Sequence, residues 1–566
     1  MSSADAIVLG NVITLDAHGT RGEALAVREG KVLAVGFRAA IEALRGADTR
    51  VFDYSGRTII PGFNDTHAHL DSLGLQSVRP SLAKAKSIDD VLDIVRRLAA
   101  DTEPGRWIVT TPVGEPPFFF GGPRQLREGR MPDRHELDRA APDHPVHIPA
   151  PSGFWGQPPC FSALNSRALA LNGIDRQTAP RASGVEIEKD DRGEPTGVII
   201  DRNYTEAALL DILPAVPRFS TDERLDAIRR GLAAYHAKGT TSIYEGHGAA
   251  PAVVSLYRDL HQAGELRMRV TLVANPVLHS IHEADRLYRD WLAHARGSGM
   301  GDAWLRISGI QVPYGGDPVV GELARKDPSD LSWSGYVKQA VGPTEFEHLA
   351  LLAARHDLRL HTIASDLIEK LLPALERVAE QTPISGKRWV IEHVGRSSPE
   401  VIARLKKLGV GITLIPAFHA WKVSGGRYLE LPDEQQAYVA PARQLLEAGI
   451  PVAAGTDGIP HDPLFTVWAM VNRQVRDGGQ TLGKAGCTTV DQALRLMTTA
   501  GAWFSFEEKV KGPLQPGYFA DLAVLSEDPT AVAPERLREL ECLATMVDGG
   551  WVYGEHAAEP CHGNNP

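Results

Sequence analysis

The sequence predicts an α/β fold: a (β/α)8 barrel, a β-sandwich formed from both chain termini, and a large insertion after barrel strand one. Three observations lead there. Short β-rich runs separated by turns occupy both ends of the chain, and eight apolar strand candidates alternate with helical patterns through the middle. Roughly 170 residues lie between the first and second of these strands, where a connection of about 2 to 6 is normal.

Size and composition allow such a molecule. With 566 residues, 43% hydrophobic and 23% charged, the chain can bury a sizeable core and exceeds one ordinary domain. A formal net charge of -11 argues against broad contact with nucleic acid or an anionic membrane, which requires clustered Lys and Arg, and leaves a small molecule as the expected partner. Cys160, Cys487, Cys542 and Cys561 lie far apart without CxxC spacing, so a disulfide framework is not expected and a reducing cytoplasm is. The opening "MSSADAIVLGNVITLDAHG" has no basic n-region before an apolar core, and no stretch approaches about 18 uninterrupted apolar residues. Neither secretion nor membrane spanning is expected.

Residues 1–58 carry "AIVLGNVITLD", "GEALAVREGKVLAVG" and "TRVFDYSGRTIIPGF", which read as hairpins of the N-terminal part of the sandwich. Barrel strand one, placed in residues 59–74, is read from "TIIPGFND", with His67 and His69 behind its Pro-Gly turn signal. Residues 75–218 form the insertion. Helical spacing in "SIDDVLDIVRRLAAD" gives way there to "GEPPFFFGGPRQ", "PSGFWGQPPC" and "RGEPTGVIID", rich in Gly, Pro and aromatics, a texture suited to a lid. An exposed apolar face on this insertion would allow a homodimer. Residues 219–510 supply the other barrel strands, "TTSIYEG", "MRVTLVA", "LRISGIQV", "RLHTIAS", "RWVIEHV", "GITLIPA" and "PVAAGTDG", completing the eight that close a barrel. Residues 511–566 return to β texture in "KGPLQPGYFADLAVLS" and "ECLATMVDGGWVYGE", then run into a tail.

In a parallel barrel the functional side chains stand at the carboxyl ends of the strands. Strand one ends in Asp65, His67 and His69; strand two in Glu245 and His247; strand four in Gln311. Strand five carries His361, strand six ends in Glu392 and His393, and strand eight in Asp457. Imidazole and carboxylate suit Zn, Mn or Fe, and the two-residue period of a strand turns His67 and His69 to the same side, where they could grip one ion. His419 and His461 follow strands seven and eight and could touch substrate.

In this order, "PGFNDTHAHL", "ALNSRALALNGI", "RGEPTGVI", "GTTSIYEG", "HTIASDLIEKLLPALE", "RWVIEHVG", "AAGTDGIPHDP" and "KGPLQPGYFADLAVLSEDP" make a specific set. The chain resembles the amidohydrolase superfamily, in particular its amidohydrolase-3 (YtcJ-like) branch. That resemblance implies a metal-dependent TIM barrel in which His67, His69, His361 and Asp457 bind a divalent ion, zinc before manganese or iron. It implies that His393 either binds a second ion or contacts the reacting water or the substrate. Many binuclear relatives bridge two ions with a carboxylated lysine on strand four, where this chain has Gln311. A neutral amide cannot form a carbamate, so one ion is favoured and a second remains open, with Glu245 as a substitute bridging carboxylate. Many relatives also have a histidine where "PSGFWGQPP" stands, so Phe154 or Trp155 would meet a partly apolar substrate.

The expected chemistry is hydrolysis of a C–N bond in an N-substituted amide, formamide, carbamate or cyclic imide. Asp457 would move the proton of the attacking water, with His393 and Gln311 acting on the substrate. A deaminase or a non-hydrolytic lyase such as a decarboxylase is the alternative on the same site, and a non-catalytic binding protein a more distant one.

Overall fold

The structure is a computed structural model that describes residues 3–116, 118–151, 156–202, 211–290, 292–315, 318–326, 341–425 and 427–557. These divide into two compact units, one drawn from Met1–His69, Leu232–Tyr314 and Pro343–Pro566, the other from Leu70–Gly231 and Gly315–Gly342.

The first unit contains the barrel. Its strands are β1 Phe63–Ala68, β2 Thr240–Glu245, β3 Arg269–Ala274, β4 Leu305–Gln311, β5 Leu360–Ser365, β6 Val390–Val394, β7 Gly411–Leu414 and β8 Val452–Ala454. They pair in parallel and in sequence order, as expected. Every residue of β1 and β2 is buried, the pattern of parallel strands covered on both faces. Register matters for the site: Gln311 of β4 lies opposite His361 of β5, and Ile363 opposite Glu392 of β6.

Between β8 and β1 the barrel is joined by side chain and backbone together. The Asp457 N–H donates to His67 O at 2.8 Å, and Asp65 accepts from the Thr456 N–H at 2.9 Å and from its hydroxyl at 2.5 Å. One helix between strands begins and ends as its sequence prescribes. In this helix after β6, Pro399–Leu408, Ser398 accepts from the Val401 N–H, Pro399 occupies the first turn, and Gly409 ends it in the left-handed conformation.

The terminal sandwich takes the form of one continuous seven-stranded sheet. Ala4–Ile13, Arg21–Arg28, Lys31–Gly36 and Arg45–Pro61 join Leu522–Leu525, Cys542–Val547 and Gly550–Tyr553. The two chain ends meet where Leu522–Leu525 runs antiparallel to Arg45–Pro61. Alternation sets its faces: Ile7 and Leu9 pack with Ile41, while Val8 and Val12 pack with Phe52 and Trp551. The candidate "TIIPGFND" straddles a boundary, since Thr58 to Pro61 finish the terminal strand and Phe63 starts β1. Gly62 makes that crossing, and a β-carbon there would lie 2.2 Å from the Thr241 side chain.

The second unit has its own five-stranded sheet, in the order Ile108–Val109, Val146–Ile148, Cys160–Leu164, Pro195–Asp201 and Val185–Lys189. Val91, Val95, Leu137 and Ile148 belong to one of its cores. The helix Ile88–Asp101 starts where Ser87 accepts from the Asp90 N–H.

Among the described residues no helix is long and apolar enough to cross a membrane, and Cys160, Cys487 and Cys542 form no disulfide.

Candidate metal centre

The carboxyl ends of β1, β2, β6 and β8 bring buried histidines and carboxylates together. One ligand atom each from His67, His69, His247 and Asp457 lies within 4.8 Å of all the others, and all four residues are buried. A tetrahedral zinc ion bonded at about 2.0–2.2 Å spaces its donors about 3.4 Å apart, so this set fits a divalent ion with small side-chain adjustments.

The two histidines of β1 are oriented alike. His69 Nε2 is 2.9 Å from Asp457 Oδ1, and its Nδ1 is 3.1 Å from Glu245 Oε1. His67 Nε2 is 3.7 Å from the same Asp457 oxygen, and its Nδ1 is 3.9 Å from Glu392 Oε2. Both imidazoles thus present Nε2 to the centre; His69 has the Glu245 carboxylate within hydrogen-bond reach behind it, the arrangement that fixes the tautomer of a metal-binding histidine, whereas Glu392 stands beyond that reach of His67 Nδ1. Glu245 stands behind His69 in this geometry.

His393 Nε2 lies 3.0 Å from His67 Nε2 and 3.5 Å from Asp457 Oδ2. The backbone is unusual where it delivers these groups: His247, His393 and Asp457 have φ of 61°, 55° and 56°. Non-glycine residues occupy that region at a cost, and the surrounding packing must hold them there.

The electrostatics call for a cation. Burial opposes charge on His69, yet hydrogen bonds to Asp457 and Glu245 outweigh it and hold the imidazole up at about 10. Burial, reinforced by His393 and His247, drives His67 well below the usual imidazole range. Burial also pushes Glu392 up to about 8 against the pull of His69. The side chains of Asp457, Glu245 and Glu392 face these histidines, and a divalent ion bound among them would favour the ionised form of Glu392 and displace the proton from His69.

The other expected residues fall as follows. Gln311 ends β4 with its Cβ beside Gly248, and neither of its buried amide atoms has a hydrogen-bond partner among the described residues. His361 lies outside the clustered four, with Nδ1 2.9 Å from Glu392 Oε1 and Nε2 2.9 Å from Tyr244 Oη. The His419 ring is 5.9 Å from that of His393, with Nδ1 3.4 Å from Tyr428 Oη. His461 packs 5.7 Å from the Tyr235 ring, whose hydroxyl accepts from the His69 N–H at 3.4 Å. Phe154 and Trp155 lie outside the described residues. His247 joins the centre although the sequence reading gave it no role. Its signal was present in "EGH", where Glu245 and His247 repeat the two-residue spacing of His67 and His69.

Residues 50–553 match the family described as "Amidohydrolase family". The chain belongs to that family and is a metal-dependent hydrolase acting on carbon–nitrogen bonds other than peptide bonds. It is 27% identical over 571 residues to the N-substituted formamide deformylase of Arthrobacter pascens, covering 97% of this chain and 98% of that protein. It is 26% identical over 564 residues to YtcJ of Bacillus subtilis (strain 168), covering 96% and 98%. An uncharacterized metal-dependent hydrolase from Pyrococcus horikoshii OT3 shares the fold, with a TM-score of 0.65 at 22% identity over 94% of this chain and 99% of that one.

Proposed function

We propose that the protein hydrolyses the C–N bond of a small N-substituted formamide, or of a related amide, carbamate or cyclic imide, using one zinc ion. The observation that carries this reading is the buried set of His67, His69, His247 and Asp457 with His393 against Asp457. Three imidazoles and one carboxylate suit zinc better than the oxygen-rich sets that favour manganese. Full-length similarity to an N-substituted formamide deformylase supports the substrate class. Gln311, which cannot form a bridging carbamate, supports a single ion.

A divalent ion bound here would supply Lewis acidity and lower the pKa of its water to about 7. The residues do the rest. Asp457 accepts the proton of the attacking water and returns it to the departing nitrogen, so a formamide and water become formate and an amine. His393, beside Asp457 Oδ2, donates to the oxyanion that develops on the carbonyl oxygen. The Gln311 amide, buried and without a hydrogen-bond partner among the described residues, is available to orient the substrate. Cys160, Cys487 and Cys542, which form no disulfide, agree with a cytoplasmic enzyme.

The test is formate release from a panel of N-alkyl and N-aryl formamides, before and after removal of metal by a chelator. Activity should disappear on chelation and return with zinc. Full activity in metal-free protein would overturn the reading. The Gln311 amide also keeps deamination in view, and ammonia release from amino-substituted heterocycles, without formate release from any formamide, would decide for it.

A further inference from the structure

We propose that Tyr428 and Asp366 fix the His419 imidazole with its proton on Nδ1, so that Nε2 offers a lone pair to the substrate and selects amides that carry an N–H on the scissile nitrogen. The inference rests on the proposed C–N hydrolysis and narrows its substrate class.

His419 arrives on a π-helical turn, Ala417–Lys422, just after β7, and widened turns of this kind recur at functional sites. The residue is fully buried, and its ring meets that of His393 edge to face at 5.9 Å. Its Nδ1 lies 3.4 Å from Tyr428 Oη, which lies in turn 2.9 and 3.1 Å from the two carboxyl oxygens of Asp366. Asp366 also accepts from the Arg396 backbone N–H at 3.1 Å and pairs with the Arg427 guanidinium at 3.0 Å. A carboxylate paired with arginine only accepts, so the Tyr428 hydroxyl donates to it. The hydroxyl oxygen then has only lone pairs for His419, and the imidazole meets it with a proton on Nδ1. The Tyr428 ring cannot drift, being packed with Val439, Val475 and Leu482.

The backbone is shaped around this chain of contacts. A β-carbon on Gly395, the residue after β6, would lie 2.5 Å from Asp366 Oδ1 and 2.7 Å from His419 Cε1, so only glycine lets the two come so near. Nε2 is the atom left over. The His393 carbonyl is a further acceptor beside the ring, yet Nε2 is buried with no hydrogen-bond partner among the described residues. Burial, with His393 and Arg427 nearby, holds His419 well below the usual imidazole range, so the ring is neutral and Nε2 keeps its lone pair. A buried acceptor without a donor is costly. A substrate whose carbonyl oxygen meets His393 has its nitrogen one carbon away, where an N–H would supply that donor. An N,N-disubstituted amide has no hydrogen there and would leave Nε2 unmet.

The test compares formate release from an N-alkylformamide and from its N-methylated counterpart by the zinc-loaded, full-length enzyme. Wild type should favour the N–H substrate. His419→Leu should lower the kcat/KM ratio of the pair about 10- to 100-fold, mainly by slowing the N–H substrate. Tyr428→Phe keeps the packing and removes the hydroxyl that holds the Nδ1 proton, and should lower the ratio in the same direction by about 2- to 10-fold. Equal losses on both substrates, as a merely structural role would give, or an unchanged ratio in His419→Leu, would overturn the proposal. Circular dichroism reports the fold of each variant, and nitrogen NMR of protein labelled at histidine reads the tautomer without any substrate. The resonances that vanish in His419→Leu should be those of a protonated Nδ1 and an unprotonated Nε2, and a protonated Nε2 would overturn the proposal. Formate release from neither substrate would overturn the formamide reading, with the nitrogen resonances still deciding the tautomer.

Discussion

Asp457 serves two purposes with one residue. Its backbone N–H bonds to His67 O across the barrel seam, and its carboxylate faces His69, His67 and His393 at 2.9 to 3.7 Å. Asparagine fits the same positive φ and keeps the backbone bond, so Asp457→Asn should retain the thermal transition while kcat falls by about 100- to 10,000-fold, the range for losing a positioned proton acceptor. Unchanged turnover would remove Asp457 from the proton transfer. Glu245 acts one step further out, through His69 Nδ1. Glu245→Ala should weaken zinc binding about 10- to 100-fold, as measured by chelator competition, with little change in the unfolding midpoint. At this scale the residue types were legible: the HxH of strand one and the aspartate of strand eight stand out in the sequence. The surroundings of His361 were not legible, because a one-dimensional pattern contains no record of which nitrogen meets Tyr244 or Glu392.

Elements were easier to read than their ends. All eight barrel strands follow from short apolar runs bounded by turn signals, because a strand covered on both faces has little use for polar residues until its carboxyl end. The point where Arg45–Pro61 gives way to β1 was harder, since "TIIPGF" is uniformly apolar and only the packing of Gly62 on Thr241 marks the crossing. The loop after β2 belongs to the same class of feature. A β-carbon on Gly246 would lie 2.5 Å from His67 Nε2. Gly246→Ala should therefore push the His67 ring away from the centre and lower bound zinc per chain, read by elemental analysis, while the helix content by circular dichroism stays unchanged. Normal metal content in that variant would show that the loop does not position the site.

Across the whole molecule, the link between barrel and terminal sheet is a buried charge network. Arg269 at the start of β3 bonds Asp521 at 2.6 and 3.1 Å and Asp548 at 3.0 Å, with its guanidinium 3.6 Å above the Phe519 ring centre. Asp521 supplies two of these three contacts, so Asp521→Ala would leave the buried guanidinium with Asp548 alone and should cost about 3 kcal/mol in urea unfolding. Acid should act through different groups. Burial lowers His236 to about 4 and His147 to about 3, against about 6.5 in the unfolded chain. Below pH 6.5 the unfolded chain takes up protons that the folded one refuses. Each histidine's contribution is therefore intact above pH 6.5 and lost as the pH falls toward 4, at about 1.4 kcal/mol per pH unit. His236 Nε2 is buried with no hydrogen-bond partner among the described residues, so His236→Leu should make the slope of stability against pH shallower by one proton in that window, and an unchanged slope would count against it.

Alternation of apolar runs with turns and helical spacing determined the class of fold, the pairing of the two chain ends and the strand order. These follow from local periodicity and from the rule that strands joined by helices lie parallel. The sequence also determined that histidines and carboxylates would gather at one end of the barrel, because that is where the strands stop. Only the tertiary structure decided how each side chain spends its polar atoms. Glu245 backs His69, Glu392 stands between His361 and His67, and Asp65 joins β8 to β1. The physical reason is that a buried polar group must find its partner in three dimensions, and partners 31 to 391 residues apart leave no spacing to read.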